Sequence, residues 1–329
     1  MPEQTTDAAF PCPVCGAVPM RPRGRADARY GLWSCDACSF ACTLPRPTPA
    51  QLEAFYNEQE DYNRTPPPLT PAVAARRAAD WDRRLRRAHP AARRVLEIGC
   101  QRGDLLFGLA GRGYAVAGAD VCDTARHFAS RHYGLAVHAG TLPPEVEQGR
   151  YDAVILSHVI EHVLSPVAML TDVARFLVPG GVVLIETPGL DTVLFDLFGS
   201  RYNMVRPPEH ISFLTRRAMP TLFARCGLET VAAETFTRSW SQPNPFLYGL
   251  LSLARSLGAL DWLRRRRNPA AAGASTASMR LDKGGLAARA LPVIDWTSRL
   301  ATLVSWPLWR VADAGGKGLL LFAIGRKRA

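Results

Sequence analysis

V-L-E-I-G-C-Q-R-G-D, from Val95 to Asp104, is the stretch on which the fold turns. Val95-Leu96-Glu97-Ile98-Gly99 reads as a short buried strand, and Gly99 permits a tight turn out of it. Gly103 lets the next helix, over 103–113, pack close and leaves room for a ligand against the backbone.

Working outward, YAVAGAD (114–120) is a second strand ending in Asp120, and DTARHFASRHYG (123–134) is a helix. LAVHAG (135–140) is a third strand and YDAVILS (151–157) a fourth, followed by a helix to Leu177. VPGGVVLIETP (178–188) is a turn and a fifth strand. Strands alternating with helices at this pace imply an α/β doubly wound, mostly parallel sheet covered on both faces. In such a sheet, ligands bind beyond the carboxyl ends of the strands. Three ends carry chemistry: the glycine turn with Glu97, Asp120, and the polar exit Ser157-His158. A carboxylate at Asp120 suits both hydroxyls of a ribose, so a nucleoside is expected across the strand ends. A dinucleotide site would want G-x-G-x-x-G, which Gly99, Gln101 and Gly103 do not supply. An NAD-dependent oxidoreductase is therefore the weaker structural rival.

Upstream, Cys12-Pro-Val-Cys15 and Cys35-Asp-Ala-Cys38 are two C-x2-C knuckles. Their spacing matches a zinc ribbon, with Cys12, Cys15, Cys35 and Cys38 as a closed structural set. Cys42 is a spare. Pro45, Pro47 and Pro49 make a stiff connector, with Thr48 as a helix cap. Pro71 to Ala88 reads as a helix with Val73, Trp81 and Leu85 as packing residues.

Downstream, residues 206–237 give a loop, a helix and a strand, and 317–328 a buried closing strand. Between them lie two apolar helical stretches, 246–263 and 291–311, joined by a small-residue polar link from Asn268 to Lys283. The expected organisation is a ribbon (1–45), a linker with N-terminal helices (46–90), a nucleoside-binding core (91–240), a helical insertion or lid (241–315) and a final core strand (316–329). The aromatic segment Phe195 to Tyr202 and the stretch after Trp240 are expected to border the acceptor.

The 329 residues carry a net charge of +11, but only three of the 40 basic residues are lysine, which points to arginine-rich coding rather than a dedicated polyanion surface. Arg264 to Arg267 is the one dense basic run. With Trp262, Trp296, Trp306 and Trp309 it raises peripheral membrane contact through 246–310 as an alternative to a lid packed on its own domain. An RNA-binding or RNA-modifying zinc-ribbon protein is the other class of function; the ribbon lacks the dense basic and aromatic array that nucleic acid would need. No secretory signal or spanning segment is read, so a cytoplasmic location is expected, with membrane association under the lipid-contact reading.

VLEIGCQRGDLL, GADV, YDAVILSHVIEHV and LVPGGVVLIETP resemble the successive motifs of class I S-adenosylmethionine-dependent methyltransferases. The cysteine knuckles with RPPEHISFLTRRAMPTLFARCGLE and GLLLFAIGRKR resemble a bacterial branch of that family with an N-terminal zinc ribbon. The resemblance implies a Rossmann-like sheet with its last strand antiparallel. It also implies a cofactor site of Glu97, Gly99, Cys100, Gly103, Asp120, Val121, Thr141, Leu142, Ser157 and His158. Family members often carry glycine where Gln101 stands and an acid near Thr141. The branch implies methyl transfer to an O, N or C nucleophile of a small-molecule, sugar or lipid-linked acceptor, in polysaccharide or secondary metabolism.

His158, Glu161 and His162 fall at i, i+3 and i+4, one face of a helix, and His210 is placed to join them from the later loop. Three readings follow. Glu161, His162 and His210 are catalytic, with His162 or His210 as proton acceptor. Alternatively, His158, Glu161, His162 and His210 hold a second divalent ion, as in metal-dependent methyltransferases of small RNA and of the ubiquinone pathway, where a carboxylate tends to replace His158. Finally, the cluster only pins loops over the cofactor.

Overall fold

The computed structural model describes residues 10–58, 71–141, 148–237, 245–258 and 306–328. Seven strands form the main sheet: β4 (Arg94–Ile98), β5 (Ala115–Asp120), β6 (Val137–Ala139), β7 (Tyr151–Ser157), β8 (Leu177–Pro188), β10 (Leu228–Phe236) and β11 (Leu320–Lys327). Their spatial order is β10-β11-β8-β7-β4-β5-β6. β4 pairs in parallel with both β5 and β7, so the chain order reverses at β4. That reversal opens the crevice where an open α/β sheet takes its ligand. β11 runs antiparallel to β8 and β10, as the family resemblance implies.

Burial explains the central strands. Val95, Leu96, Ile98, Ala153 to Leu156 and Val182 to Ile185 are all fully buried. An apolar run without alternation is what a strand covered on both faces requires. One cover is the helix Pro71–Ala88. Its Ala78, Trp81, Leu85 and Ala88 are buried at helical spacing, and Trp81 meets the Phe322 ring edge-on at 5.6 Å. Burying a large apolar side chain of this kind stabilises by about 2–3 kcal/mol. The same packing brings Arg77, one residue before Ala78, to the strand ends.

The ribbon is a second sheet of β1 (Arg21–Arg25), β2 (Gly31–Ser34) and β3 (Ala41–Leu44). Its fourth strand is β9 (Ser212–Phe213), which belongs in sequence to the core and pairs antiparallel with β3. The buried cluster around the cysteines is continuous with Leu214, Met219 and Leu222 of the core. Thr48 caps the helix Pro49–Glu58 reciprocally: its hydroxyl accepts from the Gln51 amide at 3.2 Å, and the Gln51 side chain accepts from the Thr48 amide at 3.0 Å.

Two expectations are corrected. The segment after β7 does not run directly into a long helix; a short 3-10 turn, Ile160–His162, precedes the helix Pro166–Phe176. Pro166 at the start of that helix and Ser165 as its cap explain the delayed start. The aromatic segment Phe195 to Tyr202 is not an acceptor-side loop. Its first half is the helix Val193–Phe198, and Leu194 and Tyr202 are buried against Ala26, Tyr30 and Leu32 of the ribbon. These aromatics wedge the ribbon to the core. Of the insertion, only the helix Pro245–Ser256 and the helix over 306–314 fall among the described residues. The polar link, Arg264 to Arg267, Trp262 and Trp296 lie outside them. No helix of the described residues is long and apolar enough to cross a membrane.

Candidate active site

The mouth at the β4/β7 reversal is lined by strand ends. Gly99 has φ +72°, and a Cβ there would come 2.5 Å from Val159 Cγ2; Gly103 has φ +76°, and a Cβ would come 2.6 Å from Leu135 Cδ1. Any other residue would both strain the backbone and strike a packed side chain. Gln101, between them, holds φ +49° without being glycine. A glycine would hold that conformation without the strain a Cβ brings.

Asp120 is 6% exposed, and both its oxygens are fixed by amides: Oδ2 accepts from Gln101 at 2.7 Å and Oδ1 from Cys122 at 2.8 Å. Each carboxylate oxygen keeps a second lone pair for a ribose hydroxyl. Val121 beside it is 70% exposed, an apolar surface that a purine would cover. Glu97 is buried and its Oε2 has no hydrogen-bond partner. Burial, reinforced by Asp120, Asp104 and Glu186, pushes its carboxyl up to about 8, against the pull of Arg77. An unpartnered buried acid of this kind fits a ligand ammonium. Arg77, unforeseen in the sequence, donates to Ser157 Oγ at 3.2 Å and suits a carboxylate. Its only signal was its place next to the buried stripe of its helix. These features fit the amino acid, ribose and base of S-adenosylmethionine.

The other expected cofactor residues divide. The Cys100 side chain packs with Leu106, Ala129 and Leu135, so only its backbone is offered to the mouth. Burial raises its thiol well above the ordinary range. Thr141 follows Gly140, whose amide bonds Asp120 O at 3.0 Å. Leu142 lies outside the described residues. His158 sits at the rim with φ +57°; its ring bonds Glu161 Oε1 through Nδ1 at 3.2 Å and faces Glu186 Oε1 at 3.7 Å.

Beyond the rim, Glu161, His162 and His210 present ligand atoms that all lie within 4.8 Å of one another. His158 is not in that set; its left-handed backbone turns it towards Glu186, and it meets the set only through Glu161. Glu161 is 1% exposed, and its Oε2 accepts from Thr187 Oγ1 at 2.9 Å. Burial opposes its ionisation, but the His158 hydrogen bond and the charges of His162, His158 and His210 hold it down to about 2. Burial and then Arg206 press His210 well below the ordinary histidine range. Each imidazole bonds a backbone carbonyl through Nδ1: His162 to Glu209 O at 2.8 Å and His210 to Met204 O at 2.8 Å. A carbonyl only accepts, so both Nδ1 atoms carry a proton and both Nε2 atoms are turned towards Glu161. The two Nε2 atoms and the Glu161 carboxylate, each side chain held from behind, are donors of the kind that hold a divalent ion, although Arg206 Nη2 also reaches His210 Nε2 at 3.5 Å.

The second cluster is the four cysteines, whose sulfurs also lie within 4.8 Å of one another. Cys12 and Cys38 sulfurs are 3.6 Å apart, and those of Cys15 and Cys35 3.5 Å. Zinc–sulfur bonds of about 2.3 Å would set tetrahedral sulfurs roughly 3.8 Å apart, so the set fits zinc with little movement. Cys42 lies outside it, fully buried against Met20.

Residues 73–233 match the family model described as a methyltransferase domain. Among curated proteins, the chain is 35% identical over 124 residues to a ubiquinone biosynthesis O-methyltransferase of Burkholderia vietnamiensis, covering 35% of this chain and 53% of that protein. It is 33% identical over 144 residues to one from Dechloromonas aromatica, covering 41% and 62%. The chain thus spans between half and two thirds of the length of these relatives. Among solved structures, an S-adenosylmethionine-bound amino pentose methyltransferase from Micromonospora echinaspora aligns with TM-score 0.40 and 21% identity, over 49% of this chain and 86% of that one. The strand order and the family match agree that residues 73–233 form a methyltransferase domain.

Proposed function

We propose that the protein transfers the methyl group of S-adenosylmethionine to an oxygen of a small-molecule acceptor, with Glu161, His162 and His210 holding a divalent ion beside that oxygen. The observation that carries this reading is the convergence of one ligand atom each from Glu161, His162 and His210 within 4.8 Å, with both imidazoles fixed through Nδ1. The curated relatives, named as O-methyltransferases, agree with oxygen as the acceptor atom. The sugar and polysaccharide setting implied by the zinc-ribbon resemblance remains a choice of acceptor within this reading.

Bound S-adenosylmethionine supplies an electrophilic methyl on a sulfonium leaving group. Glu97 and Arg77 would orient its amino-acid end and Asp120 its ribose. Methyl transfer is an in-line displacement, so most of the protein's work is to position the acceptor and remove its proton. A divalent ion on the three ligands would lower the pKa of an acceptor hydroxyl. His162, with its side chain 21% exposed, is the ligand best placed to meet a molecule entering from solvent.

The test is transfer of labelled methyl from S-adenosylmethionine to a panel of catechols and sugar diols, with magnesium or manganese and then with a chelator. Labelling that the chelator suppresses, excess magnesium restores and His162→Ala abolishes is the expected result. Labelling indifferent to metal yet lost in His162→Ala would return His162 to the role of general base.

A further inference from the structure

Arg46 follows the ribbon's last strand by two residues, and its hydrogen bonds go to the two segments that carry the acceptor-side cluster. Its guanidinium donates to Val163 O at 3.3 Å, to Ser212 Oγ at 3.1 Å, and to Leu164 O and Ile211 O. Val163 and Leu164 directly follow Glu161 and His162; Ile211 and Ser212 directly follow His210. The two segments are also bonded to each other. The Ile211 amide donates to Glu161 O at 2.9 Å, and Ser212 Oγ donates to Val163 O at 2.8 Å. From the ribbon, the Thr43 amide joins at Ile211 O, 3.2 Å away, and β3 pairs with β9 through Cys42 and Ser212.

We propose that Arg46 is a positioning residue through which the ribbon sets the mutual geometry of Glu161, His162 and His210, leaving the cofactor mouth to the sheet. The proposal rests on the reading of those three residues as the acceptor-side site. Its physical basis is the shape of the donor. A guanidinium presents five N–H groups in a planar fork and serves several carbonyls at once; an ammonium is a point charge. The carbonyls of 163, 164 and 211 belong to two separate segments, and the fork reaches all three. Without Arg46 the two segments keep their mutual bonds, the Thr43 amide and the β3–β9 pairing, but lose the side chain that bonds both at once. The rings of His162 and His210 then lose their mutual alignment, because each is tied through Nδ1 to the 204–209 loop while its backbone sits on a segment that Arg46 holds. None of the Arg46 bonds reaches Glu97, Asp120 or Ser157.

The test compares Arg46→Ala and Arg46→Lys with Arg225→Ala, which removes a different ribbon–core bond, from Arg225 Nη1 to Val14 O at 2.8 Å. Three readouts are taken: amide hydrogen exchange over 160–164 and 209–213, the imidazole Nδ1–H resonances of His162 and His210, and calorimetric affinity for S-adenosylmethionine. Arg46→Ala is expected to speed exchange in both segments about tenfold or more and to erase the single-tautomer imidazole pattern, with cofactor affinity within about twofold of wild type. Arg46→Lys should fall between, and keeps the test open if the alanine variant does not fold. Arg225→Ala should leave both imidazole resonances in place. Unchanged resonances and exchange in Arg46→Ala would overturn the proposal. So would faster exchange spread over the whole chain with cofactor affinity lost, which would make Arg46 a general stabiliser. A wild type that binds no cofactor would defeat the proposed function instead, and the imidazole comparison would still decide the role of Arg46.

Discussion

Glu97, Asp120 and Ser157 reach the cofactor mouth from the ends of three strands of one sheet, whereas Glu161, His162 and His210 meet only because a distant loop and the ribbon hold them together. The first region is local. Each of its residues is placed by the strand that precedes it, and the pairing of β4 with β5 and β7 fixes their separation. The second depends on contacts far apart in sequence: His162 with Glu209 O, Glu161 O with Ile211, and Arg46 with both. The lesson is that the two halves of the reaction are separable. Damage to the ribbon should disable the acceptor side and spare the cofactor side.

The largest break in that symmetry is expected from Cys35→Ser. Metal analysis should show one zinc per chain in the wild type and none in the variant. Its melting temperature should fall by roughly 10 °C or more, because structural zinc binding contributes directly to folding. Residual S-adenosylmethionine binding by the folded fraction would confirm that the mouth stands without the ribbon. Next in size is His162→Ala, for which manganese affinity, read by electron paramagnetic resonance, should drop on the order of 100-fold, with cofactor affinity unmoved.

Glu97→Gln sharpens the cofactor side. The Glu97 carboxyl is raised from 4.5 to about 8 by burial, so between those values the folded state binds the proton that the unfolded state has released. Stability of the free protein must therefore fall as pH rises through that window, and it is unaffected by this group below it. Glutamine removes the slope: in thermal melts the variant should gain on the wild type steadily as pH rises towards 8. It should also bind S-adenosylmethionine about tenfold more weakly or worse, because the ligand ammonium loses its carboxylate. Wild-type cofactor affinity should rise over the same range, since binding favours the ionised acid. The smallest effect is expected from Gln101→Gly, which relieves a left-handed residue and should stabilise by about 0.5 kcal/mol in denaturant melts.

The sheet was legible because its signals are periodic and local. Unbroken apolar runs marked β4, β7 and β8, glycines marked the turn at 99–103, and Asp120 stood at a strand end. The cysteine knuckles were legible by spacing alone. The cluster was legible in part. Glu161, His162 and His210 were identified, but the helical spacing that grouped His158 with them does not survive a 3-10 turn and a left-handed residue. The roles of Arg77 and Arg46 were not legible. One depends on how a helix packs, the other on a bond across 165 residues of chain, and neither leaves a periodic mark. The wedge of Phe195 to Tyr202 was misread for a related reason. Aromatic side chains beside a strand end suit a ligand or a second domain equally well, and only the burial of Tyr202 in one cluster with Tyr30 and Leu32 decides between them.

The central claim is that the mouth at the β4/β7 reversal holds an adenosine-bearing methyl donor. Titration calorimetry of the purified chain with S-adenosylmethionine, for the wild type and Asp120→Ala, tests it most directly. The account predicts one site per chain in the wild type and a loss of about 100-fold or more in the variant. No heat of binding in the wild type, or equal affinity in both proteins, would contradict it.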